Sequence, residues 1–166
     1  IRCPNTDCPA QLLRHLVHFV SRDAMDIDGL GVAVLEQLLK NKLISSPSDL
    51  YKLKKEDISQ LERMGDKSSE NLINSIAKSK DNDLYRFIFA LGIRHIGLKA
   101  AKLLSEKFKN IDNIFSSTQE EIASIDGYGD IMARAVFDYF SLKDTKALID
   151  KFKSYNVNMS EKEKDS

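Results

Sequence analysis

Apolar residues recur along this chain with a helical period that glycine interrupts at regular intervals. Leu12, Leu13, Leu16, Val17 and Val20 share one face of a helix over Ala10 to Val20, after Pro9 at a first helical position. The same periodicity predicts helices over Val32 to Lys40, Glu56 to Leu61, Asp66 to Ser79, Asp83 to Leu91, Leu98 to Phe108, Ile131 to Phe140 and Lys143 to Tyr155. Ser46-Pro47 is a cap followed by a start signal for a short helix through Leu53. Ser117-Thr118-Gln119-Glu120 reads as a capping box ahead of another. Few stretches alternate with the period of two that a strand requires, and the loops are short, so the pattern predicts an all-α fold.

The glycines add a longer period. Gly31, Gly65, Gly97 and Gly129 stand 34, 32 and 32 residues apart, each opening a helix with an apolar residue seven positions on: Leu38, Leu72, Leu104 and Val136. Two turns carry the fuller pattern, Ile27-Asp28-Gly29-Leu30-Gly31 and Ile125-Asp126-Gly127-Tyr128-Gly129. A shift of 64 residues lays Leu50-Tyr51 on Ile114-Phe115, Ile58 on Ile122, Leu61 on Ile125, Gly65 on Gly129 and Leu72-Ile73 on Val136-Phe137 without a gap. Such self-similarity marks a duplicated unit of two helical hairpins. A Gly-x-Gly turn lets another backbone approach closely, and the amides that open the next helix lack partners at the positive end of its dipole. Phosphate is the natural ligand of such a terminus, and a repeated phosphate-binding turn points to a polymer of phosphates. The alternative from another class is a helical protein-interaction scaffold in which the turns only pack helices.

Composition tempers that reading. The 166 residues carry no net charge, so the chain is not a polycation that coats nucleic acid. Hydrophobic content of 42% with 30% charged residues fits a globular protein able to bury a core. Charge is nonetheless unevenly placed. Arg94, Lys99, Lys102, Lys107 and Lys109 face only Glu106 within the third repeat, with His95 beside the turn. Arg63, Lys67, Lys78 and Lys80 surround the second, mixed with acids, while the outer turns carry Asp26, Asp28, Asp126 and Asp130. No apolar run is long enough for a membrane span, and Leu84 to Ile93 is broken by Arg86 and Gly92. The chain opens Ile1-Arg2-Cys3 without methionine and reads as a piece of a longer protein; two cysteines and no secretory pattern point to a reducing cytosol.

Cys3-Pro-Asn-Thr-Asp-Cys8 is a C-x4-C pair, half of a tetrahedral thiolate zinc site. His15 and His18 could complete it, two further cysteines could lie upstream, or the two thiols could be unrelated. The three histidines have no triad partners by spacing, and no phosphate loop of the G-x-x-x-x-G-K-[ST] type is present. Nothing marks this segment as catalytic by itself. The expected organisation is the cysteine pair with a connecting helix over 1–20, a nucleic-acid-binding helical domain over 21–158, and a charged tail or linker over 159–166, the first segment being the second half of a zinc finger if the missing ligands lie upstream.

Several blocks resemble the bacterial NAD-dependent DNA ligases. They are Cys3-Pro4, Cys8-Pro9-Ala10-Gln11, His18 through Gly31, Asp49-Leu50-Tyr51, Lys67-Ser68, Asn71-Leu72, Ser79-Lys80, Ala90 through Gly97, and Asn156-Val157-Asn158. The resemblance covers nearly the whole chain and corresponds to the end of that family's zinc finger followed by its four tandem helix–hairpin–helix repeats. It implies a parent enzyme that seals nicks between a 3′-hydroxyl and a 5′-phosphate in replication and repair, using NAD and magnesium. The adenylated lysine of that chemistry lies in a Lys-x-Asp-Gly motif that this chain lacks. The implied role is therefore non-catalytic: a cytoplasmic, monomeric module, working at the nucleoid beside other domains of the same ligase, that holds nicked duplex DNA through its backbone. A related module from another repair or recombination protein would share the hairpins without the flanking blocks.

On this reading the DNA-binding residues are Gly29, Gly31, Gly65, Lys67, Arg94, His95, Gly97, Lys99, Gly127 and Gly129, with Cys3 and Cys8 as zinc ligands. Two turns depart from the pattern: Arg63 and His95 stand where the other hairpins have their first glycine.

Overall fold

The computed structural model describes residues 9–61 and 65–160, divided between two compact units, Ile1–Lys80 and Asp81–Ser166. Each unit is two helical hairpins joined by a short helix. Among the described residues there is no strand, only an isolated bridge between Asn110 and Ser160.

In the first unit α1 (Pro9–Val20) packs on α2 (Val32–Lys40), and α3 (Lys55–Ser59) packs on α4 (Asp66–Ser79). α1, read from sequence as a connecting helix, is thus the first arm of the first hairpin. Between the pairs, Pro47–Lys52 touches both α1 and α4. It winds as a 3-10 helix, a form suited to a short connector. Asp49 fixes its start: the backbone N–H and hydroxyl of Ser45 donate to its Oδ2 at 2.8 Å each, and the Ser46 N–H at 3.1 Å. Leu16, Phe19, Leu35, Leu38, Leu50, Ile58 and Leu72 make the core and are almost fully excluded from water. Tyr51 meets Phe19 edge-on and joins its hydroxyl to that of Ser79 at 2.8 Å, so the connector is tied to the end of α4.

The second unit repeats this plan. α5 (Leu84–Ala90) packs on α6 (Leu98–Phe108), and α8 (Gln119–Ala123) on α9 (Asp130–Ser141). α7 (Ile111–Phe115) joins the pairs, and α10 (Lys143–Ser154) closes the unit against α9. Phe87 and Phe152 meet edge-on at 5.0 Å, as do Phe115 and Phe140 at 5.1 Å. The capping box of α8 uses Thr118 and Glu121, one residue beyond the expected Ser117 start, because Ser117 is buried with its hydroxyl on the Ile114 carbonyl. The chain stays docked two residues into the segment read as a tail. Met159 is buried, its carbonyl accepts from the Ile111 N–H at 2.9 Å, and Asn158 donates its side-chain amide to the Asn82 carbonyl.

The 64-residue shift holds in three dimensions. α3 at Lys55–Ser59 becomes α8 at Gln119–Ala123 with both ends in register. Ile58 and Ile122, Ser69 and Ala133, and Leu72 and Val136 are buried as pairs. A 66-residue shift relates the other two hairpins, with Ile27 and Ile93, Leu35 and Ala101, and Leu38 and Leu104 as buried pairs.

Candidate nucleic-acid interface

Each hairpin turn puts apolar side chains inward and its last glycine outward. The residues opening the turns, Ile27, Leu61, Ile93 and Ile125, are buried; so are Leu30, Ile96 and Tyr128 just before the last glycine. Gly31, Gly65, Gly97 and Gly129 are exposed. Tyr128 adds a tie within the second unit by donating its hydroxyl to the Ala100 carbonyl at 2.5 Å. Burial holds this phenol well above its ordinary pKa, so it remains a donor.

The four outward glycines are the N-caps of α2, α4, α6 and α9. Their φ values, −79°, −88°, −86° and −96°, lie where any residue is at ease. A Cβ built on any of the four would find no heavy atom within 4 Å. The folded chain therefore has no internal need for glycine at these positions, and the absence of a side chain leaves the first amides of each helix open to an outside ligand. None of the four helices has a side chain accepting at its cap. By contrast Asp83, Asn110 and Thr118 accept amide hydrogens at the starts of α5, α7 and α8. The Pro47–Lys52 helix, α3 and α10 also begin without a bond to the cap side chain, but their caps are Ser46, Lys54 and Leu142 and none is a glycine.

The first glycine of the turn has a different task. Gly29 and Gly127 both sit at φ +94°, the left-handed region that a Cβ disfavours. Their places against the neighbouring hairpin are open enough: an added Cβ would meet Leu72 Cδ1 at 3.4 Å and Leu103 Cδ1 at 3.7 Å respectively. His95 occupies the equivalent position in the third hairpin and also turns left-handed, at φ +70°. The Ile96 N–H donates back to the Ile93 carbonyl at 3.1 Å, as the Tyr128 N–H does to Ile125 at 3.0 Å, so the two turns share one hydrogen-bonded form. The departure read from sequence is accommodated without changing the turn. Arg63, the other departure, lies outside the described residues, as do Cys3 and Cys8 of the expected zinc half-site. Among the described residues no group of three or more His, Cys, Asp or Glu could hold a metal.

Charge concentrates on the third hairpin. Arg94, His95, Lys99 and Lys102 are exposed, and no acid stands in the first turn of α6, whereas α4 and α9 begin with Asp66 and Asp130. Arg94, Lys99 and Lys102 make no ion pair among the described residues, while Arg134, Lys146 and Lys153 pair with Asp138, Asp150 and Asp112. Lys102 lies over the Tyr85 ring at 5.1 Å, with Arg86 against the same ring at 5.9 Å. The third and fourth turns face an open groove of about 630 Å³ lined by His95, Gly97, Lys99, Asp126, Gly127 and Met132. In the first unit Gly29 and Gly31 line a separate groove of about 570 Å³ with Arg22, Asp26 and Asp28, and Lys67 stands exposed at the start of α4. Of the expected contacts, Arg94, His95, Gly97, Lys99, Gly127 and Gly129 are thus gathered in one unit, and Gly29, Gly31, Gly65 and Lys67 in the other. Ile131, a residue the sequence did not single out, is 70% exposed at the start of α9. Its place two residues after Gly129 was the available signal.

Comparison with known proteins agrees with this architecture. A SAM-like helix–hairpin–helix tandem matches residues 21–78 and a helix–hairpin–helix motif matches residues 86–149. The chain is 51% identical over 158 residues to a DNA ligase of Clostridioides difficile, covering 95% of this chain and 23% of that protein. It is 51% identical over 160 residues to a DNA ligase of Bacillus pumilus and 49% identical over 158 residues to one of Bacillus subtilis, covering 24% of each. The chain therefore spans about a quarter of the length of these curated relatives. Described hairpins, matched motifs and shared sequence agree: the chain belongs to the tandem helix–hairpin–helix family, in the form found in a segment of the DNA ligases.

Proposed function

We propose that this chain is the duplex-gripping part of an NAD-dependent DNA ligase, holding DNA through backbone phosphates while the other domains of the parent seal the nick. The observation that carries this reading is the set of four N-cap glycines, whose ordinary φ and empty Cβ positions leave uncapped helix starts facing outward. Backbone amides and a helix dipole favour an anion without reading a base, so the grip is independent of sequence. Gly29, Gly31, Gly65, Lys67, Arg94, His95, Gly97, Lys99, Gly127 and Gly129 are the contacts, with the third hairpin supplying most of the Coulombic attraction.

The module supplies position and no chemistry of its own. NAD and magnesium act elsewhere in the parent, beside an adenylated lysine whose Lys-x-Asp-Gly motif is not in this sequence. Cys3 and Cys8 would give zinc two of its four thiolates, the others coming from upstream. The setting is the bacterial cytoplasm, at nicks left by replication and repair, with the module monomeric. No described helix is long and apolar enough to cross a membrane.

Fluorescence anisotropy with nicked and intact duplex of one sequence, at low and moderate salt, tests the proposal. The expected result is similar, salt-weakened binding to both and to a second, unrelated sequence. No binding at low salt by the folded chain, or binding indifferent to salt, would favour a protein-interaction scaffold instead.

A further inference from the structure

The fourth hairpin breaks a rule that the two middle hairpins keep. Two residues after the N-cap glycine stand Lys67 in the second hairpin, Lys99 in the third and Ile131 in the fourth. Ile131 is 70% exposed, and the fold makes no use of it: α9 turns Ala133, Val136 and Phe140 to the core. Water gains nothing from so large an apolar side chain at this place. Its neighbours define what could cover it. Ile131 lines an open groove of about 490 Å³ with Arg94 and His95 of the third hairpin and with Arg134 and Tyr139 of its own helix. The one carboxylate on that groove, Asp138, is paired with Arg134 at 3.6 Å.

An apolar side chain set beside an uncapped helix start and edged by cations matches the surface of a nucleic-acid strand. There each phosphate adjoins a deoxyribose whose carbon face is the nearest apolar group. We propose that Ile131 is a sugar contact: the α9 amides hold a phosphate, Ile131 lies on the adjoining deoxyribose, and Arg94 and His95 take the next part of the same backbone. The fourth hairpin then grips by shape where the second and third grip by charge, which also offsets the cost of Asp130 beside its anion. This inference rests on the DNA-binding reading and assigns it a residue.

The test compares Ile131→Ala, Ile131→Lys and Lys99→Glu in anisotropy titrations with intact duplex over a range of salt, with thermal unfolding alongside. Ile131→Ala should weaken binding about fivefold, the scale of losing part of one apolar contact, with an unchanged salt slope and unchanged melting. Ile131→Lys should steepen the slope by about 0.9, the increment of one phosphate contact. If Lys99→Glu weakens binding but Ile131→Ala does not, DNA binding stands and the sugar contact is overturned, leaving this groove to another domain. If neither substitution changes binding, the sugar contact and the third hairpin's place in the interface both fall, whereas a folded chain that binds no duplex at low salt overturns the DNA-binding reading itself.

Discussion

Gly127 and Gly129, two residues apart, should respond to alanine in opposite ways. At Gly127 the backbone sits at φ +94°, so an L side chain carries a conformational cost of about 1–2 kcal/mol. Alanine recovers about 0.5–1 kcal/mol of that, because it orders with less entropy loss than glycine. Contact with Leu103 at 3.7 Å adds nothing beyond ordinary packing. The net loss is about 1 kcal/mol, a fall of roughly 4–8 °C in the melting temperature of a unit this size. Well below that transition the hairpin is formed and the Gly127 backbone keeps its place on the groove, so DNA binding should fall far less than for Gly129→Ala. At Gly129, φ is −96° and no atom lies within 4 Å of the new methyl group. Alanine is a poorer cap than glycine but restricts the unfolded chain, and the two effects, each of some tenths to about 1 kcal/mol, roughly cancel. Melting should stay put. The methyl group instead stands where a phosphate would reach the α9 amides. Hydrogen bonds to a charged group contribute about 1.5–3 kcal/mol, so affinity should fall by about tenfold or more. Differential scanning fluorimetry and anisotropy titration on both variants read the two effects separately. A Gly129→Ala protein that melts and binds like the parent would refute the claim that these amides face DNA.

His95→Gly should raise the melting temperature of the second unit, since relief of a left-handed residue outweighs the added chain entropy by about 0.5–1 kcal/mol; the same change should weaken DNA binding through loss of the imidazole. Lys99→Glu should flatten the dependence of log K on log salt by about 1, and Lys67→Glu should do the same, as measured across a salt series; an unmoved slope for both would remove them from the interface. Asp49 is buried, which by itself raises its pKa, but the Ser45 backbone and side-chain hydrogen bonds and the Lys52 ammonium together hold the carboxyl below its ordinary value. A depressed pKa contributes stability above the unfolded value near ~3.9 and loses it as pH falls through the folded value. Asp49→Asn should therefore destabilise the first unit at neutral pH by about 1–3 kcal/mol and flatten its acid transition, followed by urea unfolding from pH 7 to pH 2.

What the sequence made legible was what repeats. The gapless 64-residue shift placed Ile58 opposite Ile122 and Leu72 opposite Val136, and these pairs form equivalent parts of the two cores. The hairpin glycines were legible for the same reason: a turn that recurs four times stands out from glycines that merely end helices. Features that depend on distant partners were not. Met159 is a lone apolar residue between Asn158 and Ser160, and its docking depends on partners far back in the chain, the Ile111 amide and the Asn82 carbonyl. The start of α8 shifted by one residue because Ser117 found a partner in the preceding turn. His95 was legible only as a departure from glycine, and its left-handed backbone goes with the buried Ile93 and Ile96 on either side of it. Ile131 was visible as an apolar residue in a helix, yet periodicity alone could not tell that α9 turns it away from the core.

A grip built from the main chain has a durability that a basic surface lacks. Amides do not titrate, cannot be acetylated, and survive nearly every substitution that leaves the helix start intact. On the proposed reading the remaining surface is free to drift in composition, even to neutrality, and this chain balances 25 basic against 25 acidic residues. A protein holding its polyanion this way carries little long-range attraction for other anions, so unrelated nucleic acids and acidic proteins in a crowded cell compete weakly for it.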